Sequence, residues 1–268
     1  MPNYGDKKYW EDRYEEQKGK TFEWLEDYSS IKPIITKIGT KKNANILNVG
    51  CGNSEFSENM YADGFTNIYN IDICPNVISF MKERNKNKEG MHFQEMDVRD
   101  MKFEDGTFDL VIDKSTIDAL LCGNHSFINV TKMTKEISRV LKVGGVYLII
   151  SYGKPENRIF HLERKHLGFD VQVYTIKKQE GQTEKVHYGY VCKKLAKANE
   201  NIKNFGEVMK ELEKEEYYED LFEKQKNNIK NNNNNESKNE EINSADKSKG
   251  KGGNTINSNK VKKVGKIK

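Results

Sequence analysis

The stretch Asn45-Ile46-Leu47-Asn48-Val49-Gly50-Cys51-Gly52-Asn53-Ser54-Glu55-Phe56 constrains this chain more than any other. Ile46, Leu47 and Val49 form a short apolar run of the kind that is buried in a parallel sheet. It passes directly into two glycines one residue apart and then into a helix start that Ser54 can cap. Such a turn lets the backbone approach a ligand at the carboxyl end of a first strand. Taken alone, it also fits a strand-to-helix turn that binds nothing.

The surrounding residues narrow the ligand. A dinucleotide fingerprint needs a small residue three positions after the second glycine and a helix N-terminus free to receive a pyrophosphate. Here that position is Glu55, whose carboxylate repels a diphosphate. S-adenosylmethionine carries a sulfonium cation and no phosphate, so Glu55 does not oppose it. Asp72 closes the run Asn67-Ile68-Tyr69-Asn70-Ile71, 22 residues after Gly50, where an acid meets the ribose hydroxyls of an adenosyl ligand. Asp97, closing a third apolar run, is placed to accept from the adenine amino group, with Ile73, Met96 and Val98 offering apolar faces to the ring.

Around this stretch the pattern alternates: strands at 45–49, 67–72, 91–97, 108–113 and 145–151, separated by helices at about 55–62, 75–86, after Ser115, and 132–141. That order predicts an α/β fold, a Rossmann-like doubly wound sheet of seven strands, mostly parallel and covered on both faces. A helix from Pro155 to near Gly168 follows. Residues 169–177 and 186–193 then alternate as an antiparallel hairpin at the C-terminal edge.

Ahead of the core, Ser29 or Ser30 caps a helix that Gly39 stops. Trp10, Tyr14 and Trp24 cluster in the same region as an aromatic lid able to hold a cation against ring faces. The alternative is an amphipathic helix that packs its rings on the core. The expected division is a lid with helices over 1–44, a core over 45–195 and an amphipathic helix over 196–223. A disordered Asn/Lys-rich tail covers 224–268.

Charge belongs to the tail. The chain has 45 basic and 41 acidic residues, but residues 224–268 hold 12 lysines against four acids. Residues 1–223 therefore carry a net −4, and the basic balance says nothing of the core's partners. Non-specific nucleic-acid contact is expected only through the tail. Cys51, Cys74, Cys122 and Cys192 lack metal-ligand or disulfide spacing. His125, His161, His166 and His187 are unclustered, so no metal site is expected. With no apolar run near 20 residues, the expectation is a soluble, cytoplasmic protein.

These motifs resemble the seven-β-strand, class I S-adenosylmethionine-dependent methyltransferases. Within them the chain is similar to the eukaryotic elongation factor 1-alpha lysine methyltransferases of type 4 and to the N-terminal domain of methyltransferase-like protein 13. The likeness covers roughly residues 8–195. It rests on Tyr9-Trp10-Glu11-Asp12-Arg13-Tyr14, on Gly50-Cys51-Gly52-Asn53-Ser54, and on Asp113-Lys114-Ser115-Thr116-Ile117-Asp118-Ala119-Leu120. The resemblance implies cofactor contacts at Trp10, Tyr14, Trp24, Gly50, Asp72, Ile73, Asp97, Val98 and Lys114. Two positions depart from the family pattern: Ser115 stands where glycine is usual, and Asn48 where many class I enzymes have an acid.

The reaction implied is displacement of the sulfonium methyl by a lysine ε-amine of a protein substrate, elongation factor 1-alpha. That amine must be neutral, a cost of roughly 4 kcal/mol near neutral pH for an ordinary lysine. Asp113 or Asp118, flanking the loop after the fourth strand, is expected to orient it or take up its proton. Two alternatives remain on the sequence: a small-molecule methyltransferase, and a non-catalytic cofactor-binding subunit of a larger assembly.

Overall fold

The computed structural model describes residues 2–176, 186–195 and 205–214. The run Asn45–Val49 is a central strand, β1, buried on both faces because its side chains alternate between two apolar layers. Ile46 packs in one core with Phe56, Leu110 and Leu148. Leu47 and Val49 pack in the other with Val111, Ile137 and Tyr147. A sheet apolar on both sides needs cover on both, and the helices supply it.

Beside β1 lie β2 (Asn67–Asp72) and β4 (Phe108–Lys114), with β3 (Met91–Glu95) outside β2 and β5 (Leu141–Ser151) outside β4, all parallel. An antiparallel pair, β6 (Phe169–Ile176) and β7 (His187–Lys194), completes the sheet in the order β3-β2-β1-β4-β5-β7-β6. The chain leaves β1 toward β2 but later returns to its other side as β4. That reversal opens a crevice at the strands' carboxyl ends, where open α/β sheets hold ligands. The expected seven-stranded, mostly parallel sheet with an antiparallel edge is borne out.

The helices are α1 (Lys7–Glu16), α2 (Tyr28–Ile38), α3 (Phe56–Ala62), α4 (Pro75–Arg84), α5 (Thr116–Leu120), α6 (Ser126–Val140) and α7 (Ile159–Leu162). Several boundaries differ from expectation for local reasons. Asp27, not Ser29 or Ser30, caps α2, accepting from the Ser30 amide at 2.9 Å and from both serine hydroxyls. The single helix expected from Pro155 is instead a 3₁₀ turn, the one-turn α7 and a second 3₁₀ turn. β5 begins four residues early, at Leu141, and takes in Gly144 ahead of the expected start at Gly145. Residues 205–214 are helical and bury Leu212; the rest of the expected 196–223 helix and the 224–268 tail lie outside the described residues.

One buried cation seals the junction of α6 with β5. Lys194 is 3 % exposed, and its ammonium donates to the carbonyls of Ser138 and Leu141 at 2.5 and 2.6 Å. Those carbonyls lie where the helix can no longer supply amide partners, so a lysine from β7 replaces them. Burial holds its pKa below the usual lysine range. Replacing it with methionine leaves both acceptors unmet; Lys194→Met is expected to lose about 1–3 kcal/mol in urea unfolding.

Candidate active site

The crevice is a cavity of about 410 Å³ whose floor is the turn after β1. Gly50 and Gly52 have φ of +59° and +53°, a region that L side chains rarely adopt. Space demands glycine as well. A Cβ on Gly50 would lie 2.1 Å from Thr116 Oγ1, which donates to the Val49 carbonyl, and one on Gly52 would lie 2.8 Å from the Tyr14 hydroxyl. Glu55, not Ser54, is the N-cap of α3; Ser54 stands just before it, its hydroxyl accepting from the Phe56 amide at 3.0 Å.

At the tip of β2, Asp72 is 6 % exposed and lines the cavity. Its two oxygens accept from the amides of Gly52 and Cys74, each at 3.0 Å, which tie the acid to the glycine turn and leave further lone pairs. Burial nonetheless raises its pKa, against the pull of those amides. Tyr14 is a neutral phenol here, its pKa pushed well up by burial and then by the charge of Asp72.

Ile73, Met96, Asp97, Val98 and Arg99 line the far end of the cavity. Because β3 stops at Glu95, Asp97 sits in the following loop rather than closing the strand. Arg99 clasps its carboxylate, with Nη2 at 2.6 Å, Nε at 3.0 and 3.1 Å, and the backbone amide at 2.8 Å. Burial pushes that carboxyl up, but these bonds outweigh it and leave the pKa below its ordinary value. Arg99 was not singled out from sequence; a basic residue two places after a loop acid gives no clear signal.

The N-terminal aromatics roof the cavity. Trp10 stacks on Tyr14 with centroids 5.9 Å apart and meets Trp24 edge-on at 5.7 Å, and all three line the cavity with Tyr4 and Phe22. Arg13 covers Trp24 with its guanidinium 5.0 Å from the ring centroid. The roof therefore packs on itself and faces the cavity, joining the two roles the sequence left open.

Lys114 fastens this roof to the sheet. From the end of β4 its ammonium donates to Glu23 at 2.9 Å and to the Trp24 carbonyl at 3.0 Å; Glu23 also accepts from Ser54. Burial lowers the pKa of Lys114, opposed by the charge of Glu23. A second fastening is the buried Glu26–His187 contact at 2.6 Å. Lys114 thus lines the cavity while its charge is committed to the strap of residues 22–26.

The two candidate acids after β4 part company. Asp113 is fully buried, does not line the cavity, and accepts from the amides of Thr116 and Ile117 and from the Tyr147 hydroxyl. Burial, and then the negative charge of Asp118, push its pKa up to about 7. The expectation that Asp113 meets an incoming amine is corrected by this placement: it holds the first turn of α5 from behind. Asp118 does line the cavity. Its Oδ1 accepts from Ser151 Oγ at 2.5 Å and from Arg158 Nη2 at 2.7 Å, and its Oδ2 from Ser115 Oγ at 3.2 Å. Ser115 has φ of +73°, which costs a non-glycine residue on the order of 1–2 kcal/mol. Ser115, Thr116 and Tyr152 line the cavity beside Asp118.

Fold and cavity together suit an adenosyl ligand with a sulfonium: glycine floor, buried acid at the second strand tip, apolar faces beyond it, aromatic rings above. The family model for the methyltransferase domain matches residues 40–219, and the chain belongs to that family. It is an S-adenosylmethionine-dependent methyltransferase.

Among curated relatives, the chain is 37 % identical over 185 residues to the "eEF1A lysine and N-terminal methyltransferase" of Bos taurus. That match takes in 67 % of this chain and 26 % of the relative. It is 31 % identical over 167 residues to "EEF1A lysine methyltransferase 4" of Mus musculus, taking in 59 % of this chain and 65 % of that protein. The chain therefore spans about a quarter of the length of the first relative. Among solved structures, the N-methyltransferase NodS of Bradyrhizobium japonicum with S-adenosyl-L-homocysteine shares the fold at a TM-score of 0.52 and 15 % identity, over 69 % of this chain and 98 % of NodS. A methyltransferase of Methanosarcina mazei does so at 0.51 and 17 %, over 62 % of this chain and 98 % of that one.

Two outcomes follow from this geometry. Gly50→Ala, which brings both a left-handed strain and the Thr116 collision, is expected to weaken S-adenosylhomocysteine binding by at least about tenfold in calorimetry. Asp113 has a folded pKa above its unfolded value. Its contribution to stability is therefore present at low pH and is lost as pH rises through about 7. Asp113→Asn removes that dependence, so between pH 5 and 8 the variant should gain on the wild type by on the order of 2–3 kcal/mol in urea unfolding.

Proposed function

We propose that this enzyme methylates a lysine side chain of translation elongation factor 1-alpha, in the cytoplasm. The observation that carries this is the 37 % identity over 185 residues to a relative named for that substrate. That relative's name joins lysine and N-terminal activities, and this chain spans only a quarter of it. The similarity to "EEF1A lysine methyltransferase 4" favours the lysine activity.

When bound, S-adenosylmethionine would supply a methyl carbon on a positively charged sulfur: the amine lone pair forms the C–N bond as the C–S bond breaks, giving S-adenosylhomocysteine and a methylated ammonium that releases a proton to water. The chain's residues bind and orient. Asp72 accepts from the ribose hydroxyls and Asp97 from the adenine amino group, while Ile73 and Val98 cover the ring. The main chain at Gly50 and Gly52 approaches the amino-acid end. Trp10, Tyr14 and Trp24 exclude water and face the cation with ring surfaces. Lys114 acts through the strap it anchors. On the other side of the β1 tip, Asp118 orients the acceptor amine.

The test is label transfer. Purified enzyme with radiolabelled cofactor and cell lysate should mark a protein band at the size of elongation factor 1-alpha. Asp118→Asn, which loosens the acceptor's orientation, should lower turnover roughly 10²-fold while leaving S-adenosylhomocysteine affinity unchanged. Label confined to small molecules would reject the protein substrate, and stoichiometric cofactor binding with no transfer would reject catalysis.

A further inference from the structure

At the carboxyl end of β5, beside the glycine floor, lies a polar cluster to which the cofactor contacts proposed above assign no role. Arg158, 8 % exposed, reaches back from the 3₁₀ turn after β5 and places Nη2 2.7 Å and Nε 3.2 Å from Asp118 Oδ1. Its guanidinium lies where a Cβ on Gly153 would be, 2.2 Å from Cζ, so the glycine makes room for it. Ser151 Oγ joins Nε and the same carboxylate oxygen, and the Tyr152 amide approaches Oδ2 at 3.3 Å. The charge of Asp118 is thus balanced by Arg158 and Ser151, neither of which lines the cavity. On the cavity side stands Ser115, which spends its hydroxyl hydrogen on Asp118 Oδ2 and keeps its lone pairs for another donor. A non-glycine residue held at φ +73° points to a purpose for its side chain.

We propose that Ser115, Asp118 and Arg158 form the acceptor-amine site, in which the Ser115 hydroxyl accepts an N–H of the incoming primary amine. Arg158 acts through Asp118 as a positioning residue that cancels its charge, so the site takes the amine in its neutral, nucleophilic form. An uncompensated carboxylate there would hold the acceptor as an ammonium ion, with no lone pair to attack. With the charge cancelled, the acceptor leaves its proton with water on entry, keeps one N–H on Ser115 Oγ and has its lone pair free. The inference rests on the reading that the acceptor is an amine, and it does not depend on which protein carries it.

The test needs no protein substrate. Sinefungin is the cofactor analogue in which a carbon bearing a primary amine replaces the methylated sulfur. Its affinity relative to S-adenosylhomocysteine, measured by calorimetry on the full chain, reports what surrounds an amine at the transfer point. Ser115→Ala and Ser115→Gly should each lower the preference for sinefungin by about three- to tenfold while S-adenosylhomocysteine affinity stays within about twofold. Ser115→Gly should melt no lower than the wild type, since glycine relieves the backbone, which separates the effect from a structural one.

Arg158→Met should move the preference the other way, upward by about tenfold, because the bared Asp118 carboxylate attracts the protonated amine; adding Asp118→Asn should cancel the rise. Arg158→Lys, which keeps the charge, should stay within about twofold of the wild type. An unchanged preference in both Ser115 variants overturns the proposal, and that result stands even if Arg158→Met fails to fold. Failure of label transfer to elongation factor 1-alpha alongside the expected sinefungin shifts would reject that protein as acceptor and keep the amine site.

Discussion

The position where Gly50 has no side chain holds the site together. Thr116 Oγ1 occupies that space and donates to the carbonyl of Val49, so the loop after β4 is bonded to the tip of β1. The tip of β2 joins through the Gly52 amide and Asp72. Three neighbouring strand ends are thereby fixed relative to one another by groups too short to move independently. Asp72 and Asp118, on either side of the β1 tip, are both held through this floor and the loop that it fastens.

Charge is arranged with similar economy. Around the cavity, Asp97 is matched by Arg99, Glu23 by Lys114 and Asp118 by Arg158. Asp72 is met by amide dipoles rather than by a cation. Among the described residues that line the pocket, Asp72 is thus the acid without a cationic partner. Pairing offsets the desolvation cost that these acids meet beside the cavity. Asp113 shows what happens without a cation: buried with only amides and a phenol as partners, it titrates near neutrality.

The parts legible in sequence were those set by short-range periodicity. The alternation of apolar runs located all seven strands, and the glycine pair with Asp72 located the floor, because each signal lies within a few residues of its structural cause. What escaped were side chains brought in from afar. Arg158 lies 40 positions from Asp118 and looks in sequence like an ordinary surface arginine. Asp113 and Asp118 are both acids beside one loop, and only the direction of each side chain separates the one that braces α5 from the one that faces the cavity. The helix expected from Pro155 broke into single turns because its residues turn inward individually, Arg158 toward Asp118 and His161 into the core, instead of sharing one helical face.

The strap of residues 22–26 has a broader implication. Through Glu23 it is tied to β4 and to the start of α3, and through Glu26 to β7. A roof anchored to two strands of the sheet and to the start of α3 is part of the folded framework, not an appendage laid over it. Selection on the grip for the cofactor and selection on the durability of the domain therefore fall on the same few side chains, and neither trait can drift far without carrying the other along.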